Sequence, residues 1–133
     1  MNKVKLAWNF AVKRYHDAYF IGELPEGKRG GKGVMRYQDG RTYEGDWKDD
    51  LRHGHGREYY PNGNIYIGFF SEGKAHGKGR YEWANGEMYE GFWAEGQRHG
   101  YGKWISEGRD SYIGEWKMGK ADGFGIYQWV NGD

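Results

Sequence analysis

The sequence predicts an all-β protein, an elongated single-layer antiparallel β-meander of stacked hairpins over residues 20–133, preceded by a short helix or cap over residues 1–19. Three observations predict it. The motif Tyr43-Glu-Gly45-Asp-Trp47 recurs every 23 residues, as Phe20-Ile-Gly22-Glu-Leu24, Tyr66-Ile-Gly68-Phe-Phe70, Tyr89-Glu-Gly91-Phe-Trp93 and Tyr112-Ile-Gly114-Glu-Trp116, with no insertion or deletion. Each unit is punctuated by two turn signals. Between the turns lie segments of about six residues that alternate with period two, the length and pattern of a strand. A fixed period of this size marks a repeat architecture, in which hairpins too small to persist alone are stabilised by their neighbours.

Taken in order, residues 1–19 contain no glycine and stand outside the repeat. Val4, Trp8, Ala11, Tyr15 and Tyr19 recur at spacings of three and four, with Lys3, Lys5, Lys13 and Arg14 off the stripe. That spacing predicts a helix, either covering the first hairpin or offering an amphipathic face. Each unit then runs out through the aromatic-x-Gly-x-aromatic strand and turns at Glu26-Gly27, Glu72-Gly73, Glu95-Gly96 or Met118-Gly119. The return strand carries the pairs Gly31 and Gly33, Gly54 and Gly56, Gly77 and Gly79, Gly100 and Gly102, Gly123 and Gly125. Tyr37, Tyr60, Trp83 and Trp129 continue it, with Ser106 as the exception. The closing turns Asp39-Gly40, Asn62-Gly63, Asn85-Gly86 and Asn131-Gly132 have the residue pair of a type I′ turn. In the fourth unit Gly108 comes one place early and Arg109 replaces the turn glycine, so an irregular turn is expected at 107–109. A further unit is expected beyond Asp133.

Within a strand Tyr43, Gly45 and Trp47 share a face. Glycines such as Gly54 and Gly56 on the next strand are expected to leave bare backbone over which the rings can lie. The composition requires this economy. There are 25 Gly, 12 Tyr, 7 Trp and 6 Phe against 13 Ile, Leu and Val together, so rings must supply most of the buried surface. With 20 Lys and Arg against 19 Asp and Glu, the net charge of +1 argues against a nucleic-acid partner. The absence of cysteine excludes disulfides and thiolate metal sites and fits a reducing compartment. No apolar run approaches the roughly 20 residues of a membrane helix.

Several patterns imitate reaction chemistry. His53, His76 and His99 form a ladder, but equivalent residues of successive hairpins stand roughly 9.5 Å apart, too far to share a metal ion. Gly22-x4-Gly27-Lys28, Gly68-x4-Gly73-Lys74 and Gly114-x4-Gly119-Lys120 resemble phosphate loops, yet each lacks the following Ser or Thr and sits in a strand-to-strand turn. Ser71, Ser106 and Ser111 are in no nucleophile elbow. Glu44 and Glu90 fit solvated sheet positions. No enzymatic activity, cofactor or metal is expected.

The face opposite the tyrosines carries the functional signal. In the second unit it reads Thr42, Glu44 and Asp46, as a wet face should; in the third it reads Ile65, Ile67 and Phe69, and in the fourth Met88, Glu90 and Phe92. Such a cluster is expected either to be covered by the N-terminal segment or a fold-back of the chain, or to form an apolar groove for a partner helix or strand, and the second is the functional reading. Tyr43, Trp47, Tyr66, Tyr89 and Trp93 are further partner-binding candidates on the aromatic face. Arg57, Arg80 and Lys103, with Lys28, Lys74 and Lys120 near turns, could touch anionic lipid headgroups, although Glu26, Glu72, Glu95 and Asp122 interrupt them. The open sheet ends allow homodimerisation.

The pattern Y-x-G-x-W followed by H-G-x-G, met by residues 43–56 and 89–102, resembles the MORN repeat family, and the likeness covers five units over residues 20–133. The first unit is degenerate, with Phe20, Leu24 and Gly30 in place of Tyr, Trp and His. The resemblance implies a non-enzymatic protein–protein interaction scaffold, in the cytoplasm and associated with cytoskeletal or ciliary and axonemal assembly. Its alternative implication is a peripheral membrane tether that binds anionic phospholipid headgroups. Repeats of this kind also occur beside lipid kinase and methyltransferase domains.

Overall fold

Alternating rings and glycines can form a sheet only if the hydrogen-bond ladder brings the bare positions beneath the rings, and register achieves this. The computed structural model describes residues 10–130. Its strands are β1 (Ala11–Arg14), β2 (Ala18–Glu23), β3 (Gly30–Tyr37), β4 (Thr42–Lys48), β5 (Leu51–Tyr59), β6 (Ile65–Ser71), β7 (Lys74–Glu82), β8 (Met88–Ala94), β9 (Gln97–Ile105), β10 (Ser111–Lys117) and β11 (Lys120–Gln128). They form one antiparallel sheet in chain order, a meander of consecutive hairpins.

The first strand corrects the expected helix. Ala11–Arg14 pairs antiparallel with β2, from Ala11 opposite Gly22 to Arg14 opposite Tyr19. Val4, Trp8, Lys3 and Lys5 of the expected stripe lie outside the described residues. The backbone of β2 would otherwise be a bare sheet edge, and its unpaired amides and carbonyls favour an extended partner over a helix. Tyr15 packs beside the core with the Arg29 guanidinium 5.1 Å from its ring centre.

Among the described residues, the Asx-Gly pairs do not form the type I′ turns expected of them. At Asp39-Gly40 only the glycine has positive φ; Gly40 donates to the Tyr37 carbonyl (3.0 Å) and Tyr37 to the Arg41 carbonyl (2.9 Å). This is a three-residue loop built on a type I turn with a glycine bulge. The two-residue I′ turns lie on the opposite edge, where both residues have positive φ: Glu72 and Gly73, Glu95 and Gly96, Met118 and Gly119, and in the second unit Asp49 and Asp50. The turn at 107–109 is regular. Arg109 takes a φ of 75° and donates to the Ser106 carbonyl (2.9 Å), as Gly40 does to Tyr37. Asp39, Asn62 and Asn85 each accept the amide two residues on with the side-chain oxygen, at 3.0, 3.0 and 2.9 Å, and the turn expected at Asn131-Gly132 lies outside the described residues. Gly108 has no side chain, and Ser106 Oγ accepts the equivalent amide of Asp110 instead (3.0 Å).

One row of glycines crosses the sheet, pairing Gly22 with Gly33, Gly33 with Gly45, Gly45 with Gly56, and so on to Gly114 with Gly125. A Cβ on Gly45 would stand 2.5 Å from the Gly56 Cα, whereas one on Gly56 would meet the Tyr43 ring, so backbone excludes a side chain at one glycine of each pair and a ring excludes it at the other. Each tyrosine lies over this row and donates its hydroxyl to a carbonyl of its own strand, three residues on: Tyr43 to Asp46, Tyr66 to Phe69, Tyr89 to Phe92 (2.8 Å each) and Tyr112 to Glu115 (3.0 Å). Trp47, Trp93 and Trp116 donate their indole N–H to Gly33, Gly79 and Gly102. From Phe20 to Trp116 the rings form an unbroken edge-to-face chain with centroids 5.0 to 5.4 Å apart. Each such contact contributes about 0.5–1.5 kcal/mol beyond burial. The core is therefore a zipper of rings on one face of a single sheet. Gly54 does not share in the floor; its φ of 96° places it in a bulge where His53, Gly54 and His55 stand opposite Asp46 alone.

Candidate functional site

The face away from the rings is built from the same frame. In units one, two and five an acid stands at the bulge and accepts a backbone amide from the return strand: Glu23 from Lys32 (2.7 Å), Asp46 from His55 (3.0 Å) and Glu115 from Phe124. The Lys32 ammonium also reaches Asp46. Burial by itself would raise the Asp46 carboxyl, but the Lys32 and His55 hydrogen bonds together outweigh it and hold it below the ordinary carboxylate range. In units three and four the equivalent residues are Phe69 and Phe92, 47% and 45% exposed. A phenyl ring cannot accept the amide, and it presents apolar surface to water.

Beside Phe69 lies a trough of about 570 Å³. Its floor is the backbone of Gly68, Gly79 and Gly91, and its sides are Ile67, Phe69, His55, Lys78, Arg80 and Glu90. The His55 ring meets Phe69 edge to face at 5.3 Å. Phe92 stands opposite Lys78 in the ladder and continues the apolar line. Ile65 and Met88, half-buried, stand on either side of Glu82 in the next row.

The expected partner-binding residues therefore separate into two groups. Ile65, Ile67, Phe69, Met88 and Phe92 share the outward face. Tyr43, Trp47, Tyr66, Tyr89 and Trp93 are buried and make the core, because the glycine row lets each ring sink onto backbone while the next ring covers its edge. The six cations are all exposed but form no single patch. Arg57, Arg80 and Lys103 lie on the outward face in a row that runs Glu44, Arg57, Ile67, Arg80, Glu90, Lys103. Lys28, Lys74 and Lys120 stand along the I′ turn edge, where Lys74 lies 3.8 Å from Glu95. His53 Nδ1 accepts the Glu72 amide at 3.4 Å, a turn contact. Two of the phosphate-loop look-alikes sit at I′ turns that lead into strands, and the first runs through the 3-10 turn Pro25–Gly27 before β3.

Glu90 was legible as a residue of this face, between Met88 and Phe92, whereas His55 and Lys78 were not visible as trough residues in the sequence. Their signal is positional: each lies one place from a glycine of the row, so it borders the same bare strip of backbone. A second set was also missed. Arg29, Arg52 and Arg98, separated by multiples of 23, lay outside the glycine and aromatic ladders. Arg52 pairs with Glu58 at 2.7 Å, and Glu58, 4% exposed, also accepts from the Tyr60 hydroxyl at 3.0 Å. Burial, with the Glu58 charge adding to it, raises the Tyr60 hydroxyl well above its ordinary value.

Stacked hairpins in one sheet, with the rings packed on one face and an open trough on the other, define a β-hairpin repeat protein. The MORN repeat model matches residues 20–40, 43–65, 66–88, 89–109 and 112–133, and the chain belongs to the MORN repeat family. Repeats of this family are non-enzymatic and bind proteins and membranes. A shorter stretch of 38 residues is 45% identical to alsin of Homo sapiens, and equally to alsin of Rattus norvegicus. It covers 29% of this chain and 2% of either alsin.

Proposed function

We propose that this chain is a scaffold module that holds a segment of another protein in the trough over Ile67 and Phe69. One observation carries the reading. The acids that finish the bulge in three units are replaced in the two adjacent central units by half-exposed phenylalanines, which gain nothing from water and leave apolar surface for a partner. The occupant that fits is a helix or strand with an apolar ridge flanked by acidic residues, since Lys78 and Arg80 outnumber Glu90 at the rim. Membership in a family of binding repeats supports the same role, and cytoskeletal or axonemal assembly is the setting we propose for it.

A photo-crosslinking residue at position 67, on the trough wall, tests the placement, with adducts compared between the chain that is otherwise wild type and the same chain carrying Phe69→Asp combined with Phe92→Asp. The expected result is specific adducts in the wild type and their loss in the double variant with the fold retained. Capture that survives the double variant refutes the trough. Vesicles with and without anionic lipid separate the alternative role of a lipid-binding tether, whose binding would weaken steeply with added salt.

A further inference from the structure

Each return strand opens one residue after the I′ turn, and its second residue in β5, β7 and β9 is Arg52, Ala75 and Arg98; Arg29, just before β3, has the same place in the repeat. The three arginines behave alike. Each lays its guanidinium over the ring eighteen residues on: Arg29 over Trp47 (4.9 Å), Arg52 over Phe70 (5.3 Å), Arg98 over Trp116 (4.8 Å). Each also donates Nη2 to the turn carbonyl twenty-one residues on, at Asp50 (2.9 Å), Gly73 (2.8 Å) and Gly119 (2.7 Å). At position 75 the side chain is a methyl group, and the corresponding ring and carbonyl, Trp93 and Gly96, instead border a cavity of about 230 Å³.

The seat is otherwise complete. The backbone bond that locks each turn onto the preceding unit is present here too, from the Gly96 amide to the Ala75 carbonyl at 2.9 Å, matching 3.0, 2.8 and 2.9 Å at the other three junctions. Tyr66, Phe70 and Tyr81 also line the cavity, the Tyr81 ring standing 6.1 Å from that of Trp93. The volume lies below the ~300–1,000 Å³ of sites that enclose a whole small molecule, and suits one side chain. Two cations and an acid also line the cavity: Arg52 is paired with Glu58 at 2.7 Å, and Lys74, an exposed side chain, lies 3.8 Å from Glu95. Arg29 and Arg52 show that guanidinium groups are accommodated in successive units.

We propose that the cavity over Ala75 receives an arginine side chain of a bound protein, stacked on Trp93 and donating to the Gly96 carbonyl. A planar guanidinium can lie flat on an indole while its in-plane N–H groups reach a carbonyl at the ring's edge; an ammonium cannot do both. The inference rests on the reading of the chain as a protein-binding module, but it uses the ring face, opposite the Phe69 trough.

The test is a titration of the isotope-labelled chain with the capped tripeptide acetyl-Gly-Arg-Gly-amide, followed at the Trp93 indole N–H and the Gly96 amide. Saturable shifts are expected at both, with binding roughly tenfold weaker when citrulline or lysine replaces arginine. The response should vanish in Ala75→Arg, which fills the seat from within, and in Ala75→Met, which fills it without charge. An absent shift at Trp93, an equal response to citrulline, or a response that survives in either variant overturns the proposal. Phe69→Asp with Phe92→Asp should leave the arginine response intact, so loss of the trough and loss of this pocket are separately visible.

Discussion

Replacing Gly56 by alanine tests the principle on which the fold rests. A Cβ there would fall 2.6 Å from Tyr43 Cε2 and closer still to the hydroxyl end of the same ring; the three nearest atoms all belong to Tyr43. The ring must leave its place. It then gives up the hydroxyl bond to the Asp46 carbonyl at 2.8 Å, and its edge-to-face contacts with Trp47 at 5.0 Å and Phe70 at 5.1 Å. At ~1 kcal/mol for the hydrogen bond and ~0.5–1.5 for each ring pair, the loss is roughly 2–4 kcal/mol. Alanine's lower backbone entropy cost returns about 0.5–1 kcal/mol of it. Urea unfolding followed by tryptophan fluorescence should show a net destabilisation of about 1–3.5 kcal/mol. The decisive comparison is the double-mutant cycle. In a Tyr43→Ala background the obstacle is gone, and Gly56→Ala should cost almost nothing. If the substitution costs the same with and without the ring, or less than about 1 kcal/mol with it, the ring-on-glycine argument fails.

Arg109→Gly should stabilise the chain by roughly 1 kcal/mol, because Arg109 holds a left-handed φ of 75° that the other turns assign to glycine; an unchanged unfolding midpoint would contradict this. Asp46 has a lowered carboxyl in the folded state, so its contribution is full above the unfolded value of about 4 and is lost as pH falls through the lower folded value. Asp46→Asn should therefore flatten the acid limb of the stability profile, and an unaltered limb would rule out Asp46 as a source of it. Burial pushes the Tyr89 hydroxyl up to about 12, and raises Tyr43 and Tyr66 as well. Stability contributed by these neutral hydroxyls is full below the unfolded value of about 10 and is lost as pH rises toward the folded one. Tyrosinate absorbance should then rise together with alkaline unfolding, whereas ionisation of Tyr89 near its ordinary value in a folded chain would show that the ring is not enclosed.

The period of 23, the positions of the strands from residue 20 onward and the pairing of ring with glycine were all readable in the chain, because each is a local preference of the backbone repeated in register. The apolar departure at Ile65, Ile67, Phe69, Met88 and Phe92 was readable for the same reason: a single layer gives alternate residues opposite faces. The helical spacing of Ala11, Tyr15 and Tyr19 misled, since an exposed ladder of amides and carbonyls on β2 outweighs a short amphipathic stripe. Which turn is I′ was undecidable from Asx-Gly pairs alone; the bulge opposite Asp46 fixes the strand offset, and the offset fixes the loop. Tyr43, Trp47, Tyr66, Tyr89 and Trp93 looked like an open aromatic face until cross-strand packing buried them. The seat over Ala75 belongs to the tertiary structure altogether, for its ring and carbonyl arrive from eighteen and twenty-one residues away. A missing side chain becomes a pocket only where neighbouring strands hold its partners in place.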